Sequence, residues 1–292
     1  MKKLVSIRRS QDHHWVGDGF PVQKIFSYND TPQALSPFLL LDYAAPTSFA
    51  PTTHQRGVGQ HPHRGFETVT IVYEGEVSHR DSAGGGGTIG PGDVQWMTAG
   101  SGLVHEEYHG PDYARRGGPF EMVQLWVNLP ARDKMAAPGY QGITDATIPK
   151  VDLPQGSGSV RVIAGEYGGA RGPTRTFTPM NVWDLRLKAG QPVEFKLPEG
   201  HTTALMVLKG AIRAGGSEQV VGEVEMAVME RAGDLLRVQA VQDATVLLLS
   251  GEPIDEPVVG YGPFVMNTEE QIHQAFADFK AGRMGRITAA AA

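Results

Sequence analysis

The stretch His61-Pro62-His63-Arg64-Gly65-Phe66-Glu67-Thr68-Val69, followed downstream by His105-Glu106-Glu107, decides how this chain is read. Successive side chains of a β-strand alternate faces, so His61 and His63 point to one side, and so do His105 and Glu107. Two such strands laid side by side present three imidazoles and one carboxylate to a single point. That donor set suits a divalent transition metal such as iron and leaves coordination positions for substrate or oxygen.

Which carboxylate completes the set is the internal question. Glu67 stands four residues after His63, and a regular strand carries it ~13 Å along the same face. It returns to the metal only through a bend, for which Gly65 is the candidate. Glu107 needs no distortion.

The surrounding residues carry a family resemblance. Tyr73-Glu74-Gly75-Glu76 follows the first motif, then Gly90-Pro91-Gly92-Asp93-Val94-Gln95-Trp96-Met97-Thr98-Ala99-Gly100 leads to His105-Glu106-Glu107. Leu125-Trp126-Val127-Asn128-Leu129 and Gly262-Pro263-Phe264-Val265-Met266-Asn267-Thr268 complete the pattern. The chain resembles the pirin family of the cupin superfamily over nearly its whole length. Thr98-Ala99-Gly100 stands where cupins in general carry Pro-x-Gly, a departure that is itself pirin-like. The resemblance implies an all-β fold of two cupin barrels (double-stranded β-helices, a bicupin) with the metal in the first. It assigns the fourth ligand to His-x-Glu, so the expected set is His61, His63, His105 and Glu107. Glu67 is then expected behind them, orienting a ligand histidine.

The same resemblance implies an iron(II)-dependent dioxygenase of the quercetin 2,3-dioxygenase type, which opens the central ring of a flavonol with O2 and releases CO. By analogy with flavonol dioxygenases, Glu107 serves as base as well as ligand. Mn, Co, Ni, Cu and Zn remain compatible with the donors. The competing reading is a non-enzymatic, metal-dependent (redox-responsive) regulatory protein that acts through protein partners. The chain is expected to work as a monomer.

Composition bounds these readings. In 292 residues, Gly 37 and Pro 20 fit many short strands joined by tight turns. A formal charge of −6 gives no basic stripe for nucleic acid. Cysteine is absent, which removes disulfides, thiolate ligands and a cysteine nucleophile. The start, Met1-Lys2-Lys3-Leu4-Val5-Ser6-Ile7, lacks the apolar core of a signal peptide, and no run approaches the ~18 apolar residues of a membrane span. A cytoplasmic location is expected. Gly84-Gly85-Gly86-Gly87 reads as a hairpin tip, since no Lys-Ser/Thr or helical pattern follows it.

The second half echoes the first. Val72-Tyr73-Glu74-Gly75 matches Val207-Leu208-Lys209-Gly210 at an offset of 135 (Gly75 to Gly210), and Pro91-Gly92-Asp93 matches Ala232-Gly233-Asp234 at 141 (Gly92 to Gly233). The same offsets carry the histidines onto Lys196, Pro198 and Val246, beside the apolar Leu247-Leu248-Leu249. A second barrel packed shut and without a metal is expected. The domain reading is residues 1–135 for the metal-binding barrel, 136–159 for a linker, and 160–292 for the second barrel, ending in a helix that packs back on the body. That helix begins at a Thr268/Gln271 capping box, and Ile272, Ala275, Phe276 and Phe279 form its apolar face. His13, His14, His54, His79, His109 and His273 lack a partner at ligand spacing. Gln124, Trp126 and Met97 are candidates to line a pocket.

Overall fold

The computed structural model describes residues 1–10, 12–30 and 34–287. The chain forms two compact β units, in keeping with the all-β, two-barrel expectation. One unit gathers the described residues of 12–33, 38–145 and 254–292, and the other those of 1–11, 34–37 and 146–253.

In the first unit a four-stranded antiparallel sheet runs in the order Gly57–His63, Leu103–His109, Val77–Asp81, Gly86–Ile89. A seven-stranded sheet runs Gly139–Ile143, Val94–Thr98, Phe66–Glu74, Gly118–Asn128, Phe38–Phe49, Phe20–Ser27, Asp12–Val16. Phe66–Glu74 is rich in β-branched and aromatic side chains, which favour a pleated, buried surface. It stops at Gly75, whose φ of +86° and closeness to the Phe120 ring leave no room for a Cβ.

Each inward strand face is divided along its length. Val72, Val77, Phe120 and Met122 pack with Phe20 and Val22 in an apolar cluster at one end. Two residues further along the same faces, Thr70, His79 and Gln124 are polar. His109 belongs to the apolar end, where its ring stacks on Phe120 and its Nε2 meets the Gly19 carbonyl at 2.8 Å. It is a satisfied core histidine.

The second unit is an eight-stranded sheet that carries Leu4–Arg9, Glu225–Met229, Thr202–Ala214, Leu235–Gly251, Met180–Leu187, Gly158–Ala164 and Lys150–Asp152, with Val193–Lys196 on the long strand. Its interior is filled by Val160, Trp183, Leu185, Phe195, Val207 and Leu248, all buried.

The expected boundaries need correction. Leu4–Arg9 pairs with Glu225–Met229, so the first strand belongs to the second unit, not to residues 1–135. Gly139–Ile143 pairs with Val94–Thr98, and Lys150–Asp152 pairs with Gly158–Ala164, so the expected linker supplies strands to both units. The tail from 254 onward joins the first unit. Edge pairing is set by backbone groups that carry no local sequence signature, and proximity along the chain misplaced all three segments.

The C-terminal helix, Glu269–Lys280, has the expected capping box between Thr268 and Gln271. Ile272 and Ala275 are buried, but Phe279 is exposed, and Asp278 takes the inward position instead. Its carboxylate meets Arg64 at 2.7 Å. No helix among the described residues is long and apolar enough to cross a membrane.

Candidate metal centre

Gly57–His63 and Leu103–His109 are neighbours in register, with His61 opposite His105 and His63 opposite Leu103. The three imidazoles converge, with ring centroids 4.9 Å apart for His61 and His63, 4.2 Å for His61 and His105, and 4.8 Å for His63 and His105. One donor atom from each lies within 4.8 Å of the other two. His63 and His105 are buried and His61 is half-buried, so access lies on the His61 side.

Two of the rings place the nitrogen that does not ligate against a backbone carbonyl. His61 Nδ1 lies 2.8 Å from the Gly59 carbonyl, and His63 Nδ1 lies 3.2 Å from the Pro263 carbonyl. A carbonyl accepts only, so each Nδ1 carries a proton and each Nε2 is the nitrogen available to a ligand. His105 Nε2 is buried without a hydrogen-bond partner. Burial and the neighbouring imidazoles hold His63 and His105 well below the usual imidazole pKa, in the neutral form that ligates. Three converging imidazoles, with an unmatched buried nitrogen on His105, fit a borderline divalent cation.

Glu107 is buried beside this trio, one alternation along from His105. Its Oε1 accepts from Gln95 Nε2 at 3.3 Å and is 3.5 Å from the Thr70 hydroxyl, whose proton goes to Gln124 Oε1 at 2.9 Å. The carboxylate groups with His79 and His105 within 4.8 Å, whereas the compact group around His61 and His63 contains only the histidines. His79 is the residue that spacing missed. It sits in Val77–Asp81 opposite Glu107, and Asp81 sits opposite His105. The signal was there in Val77-x-His79-x-Asp81, whose alternation places one apolar and two polar side chains on one inward face.

Glu67 departs from expectation. Phe66–Glu74 passes through it with no bulge against either neighbouring strand between Glu67 and Ile71, so it faces away from Thr68 and Thr70. Its carboxylate accepts from the Thr98 hydroxyl at 2.7 Å and orients no ligand histidine. Trp126 and Phe66 pack at 4.3 Å with their planes tilted by 31° and flank His63 with ring centroids 5.3 and 5.1 Å away, an apolar wall beside the imidazoles. Met97 packs with Ala99 and Leu103 in the core.

The fold and this cluster define a bicupin with one barrel equipped to hold a metal ion. Sequence comparison agrees: residues 19–127 match the Pirin profile and residues 182–285 match the Pirin C-terminal cupin domain. The chain belongs to the pirin family. It is 56% identical over 286 residues to a Pseudomonas aeruginosa protein named "Putative quercetin 2,3-dioxygenase", covering 98% of this chain and 99% of that one. A pirin-like protein of Caulobacter vibrioides is 43% identical over 257 residues, covering 87% and 90%. Among solved structures, a quercetin 2,3-dioxygenase from Acinetobacter baumannii superposes with a TM-score of 0.95 at 53% identity, covering 99% of this chain and 100% of that one.

Proposed function

We propose that His61, His63, His105 and Glu107 hold one divalent ion, iron(II) in the cell, and that the protein cleaves flavonols as a quercetin 2,3-dioxygenase. The observation that carries the reading is the convergence of three imidazoles beside a buried carboxylate. The names of the similar Pseudomonas and Acinetobacter proteins supply the substrate class. Such an ion supplies Lewis acidity and redox chemistry toward dioxygen at its open positions.

The chain's own residues do the rest. Trp126, partly buried beside His63, offers apolar surface to an aromatic ring system. Glu107 accepts the flavonol hydroxyl proton and so makes the central ring electron-rich. Before an ion binds, the carboxylate rests on Gln95 Nε2 at 3.3 Å. Both atoms of O2 enter the opened product, and one ring carbon leaves as CO.

The regulatory reading has one observation in its favour. His63 and Arg64 are tied to the C-terminal arm through Pro263 and Asp278, so the state of the centre is linked to a helix with an exposed face. Metal analysis of protein purified without added metal, followed by oxygen uptake with quercetin under air, tests the enzymatic reading. About one iron per chain with oxygen consumption and CO release supports it. A metallated protein that leaves every flavonol untouched favours the regulatory role.

A further inference from the structure

A buried pair of side chains behind His105 has no place in the ligand set. His79 and Asp81 lie on one face of Val77–Asp81 with side chains 0% and 1% exposed. His79 Nε2 is 3.2 Å from Asp81 Oδ2, and His79 Nδ1 is 3.3 Å from His105 Nδ1. Tyr140 stacks on the His79 ring at 5.2 Å and 18°. Asp81 is fixed in turn, because its Oδ1 accepts from the backbone N–H groups of Ala83 at 2.8 Å and Gly85 at 2.9 Å.

These contacts dictate where the protons sit. A carboxylate only accepts, so His79 Nε2 carries a proton and His79 Nδ1 is left as an acceptor. That single lone pair faces His105 Nδ1 at 3.3 Å and Gln95 Nε2 at 3.1 Å, and Gln95 Nε2 has a second acceptor in Glu107 Oε1 at 3.3 Å. His105 Nδ1 is therefore the protonated nitrogen, and the unpartnered Nε2 is the one with a lone pair.

The geometry points to Asp81 and His79 as positioning residues that fix the tautomer of His105 and so set the strength of its metal–nitrogen bond. The inference rests on the metal-centre reading above, but the proton arrangement exists before any ion binds and is measurable without one. Outer hydrogen bonds of this kind typically change metal affinity by ~10–100-fold.

Asp81→Asn is a sharp test. The two backbone N–H groups require an oxygen at the Oδ1 position, so the new amide must turn its NH2 toward His79. His79 Nε2 then has to accept, Nδ1 takes the proton, and His105 is driven to carry its proton on Nε2.

Long-range 1H–15N spectra of the metal-free protein read both tautomers, and competition against a chromogenic chelator reads Co(II) affinity. The parent should show His105 protonated on Nδ1, and Asp81→Asn should show the proton on Nε2 with ~10–100-fold weaker Co(II) binding. His79→Phe keeps the ring shape against Tyr140 and leaves Asp81 with its backbone partners, so it serves if the asparagine variant does not fold. It should weaken Co(II) to a similar extent. An unchanged tautomer in Asp81→Asn, or unchanged affinity in His79→Phe, would overturn the inference. So would a second Co(II) per chain lost with His79, which would make His79 a ligand. A parent that shows the expected tautomer yet binds no Co(II) would instead sink the metal-centre reading and leave the hydrogen-bond chain standing.

Discussion

His63 Nδ1 lies 3.2 Å from the carbonyl oxygen of Pro263, two hundred residues further along the chain. The C-terminal arm is therefore part of the wall of the candidate centre. Arg64, the next residue, reinforces the link: its side chain pairs with Asp278 at 2.7 Å, and its Nε donates to the Ser101 carbonyl at 2.7 Å. Both members of the pair are buried.

Asp278→Ala leaves the Arg64 guanidinium buried without its carboxylate. Breaking a buried pair in this way costs roughly 3–5 kcal/mol, measurable by urea unfolding. Metal affinity should fall as well, because the arm that presents the Pro263 carbonyl loosens. A loss of stability below about 1 kcal/mol, in the range of exposed pairs, would show that the arm docks by other contacts.

Glu107→Gln keeps the size and an oxygen donor but removes the charge. Metal affinity should drop modestly, since three imidazoles remain, while flavonol turnover of fully metallated protein should fall ~10²–10⁴-fold. Glu67→Gln, on the far face of its strand, should leave turnover within about twofold, as expected for a residue outside the reacting site. Equal losses in the two variants would contradict the roles assigned here.

Glu67 has a different signature, in stability. Burial pushes its carboxyl up to about 7 from 4.5, and the Thr98 hydroxyl opposes this only in part. A carboxyl raised on folding holds its proton longer in the folded chain, so its contribution worsens as pH climbs from 4.5 to 7 and stays unfavourable above. The cost on the alkaline side is on the order of 3 kcal/mol. Denaturant titrations of parent and Glu67→Gln should agree near pH 4 and diverge by pH 8 in favour of the variant. A gap that does not widen across that window would refute the assignment.

Lys134 is buried, with its ammonium donating to the Gly65 carbonyl at 2.9 Å, Asn128 Oδ1 at 2.8 Å and the Val265 carbonyl at 2.9 Å. Lys134→Met strands three buried acceptors, each worth ~1–3 kcal/mol when left unmatched. Hydrogen exchange at Val265, whose N–H bonds to the Arg64 carbonyl, should accelerate along with the global loss of stability. Unchanged protection at Val265 would mean that the lysine does not hold the arm.

Much of this centre was legible because it rests on the period-two rule. Alternation alone placed His61 with His63 and His105 with Glu107, and the register then brought the first and third histidines abreast. The strand breaks after His63, where Gly65 takes a φ of +89°, and alternation resumed from Phe66 turns Glu67 away. What spacing within one strand could not supply was the cross-strand partner. His79 matters because it lies opposite Glu107, and that depends on which strand neighbours which. The N-terminal strand was misplaced for the same reason, since Leu4–Arg9 finds its partner more than two hundred residues away. At the C-terminal helix the hydropathy pattern favoured Phe279, yet a buried arginine claimed Asp278 for the inner face.

The most direct test of the central claim is anomalous diffraction at a metal absorption edge, from crystals of protein purified without added metal. The expected result is one ion per chain bonded to His61, His63 and His105 at ~2.0–2.2 Å, with Glu107 turned from Gln95 to close the set. An ion held elsewhere, or one bound with any of the three histidines turned outward, would contradict the account.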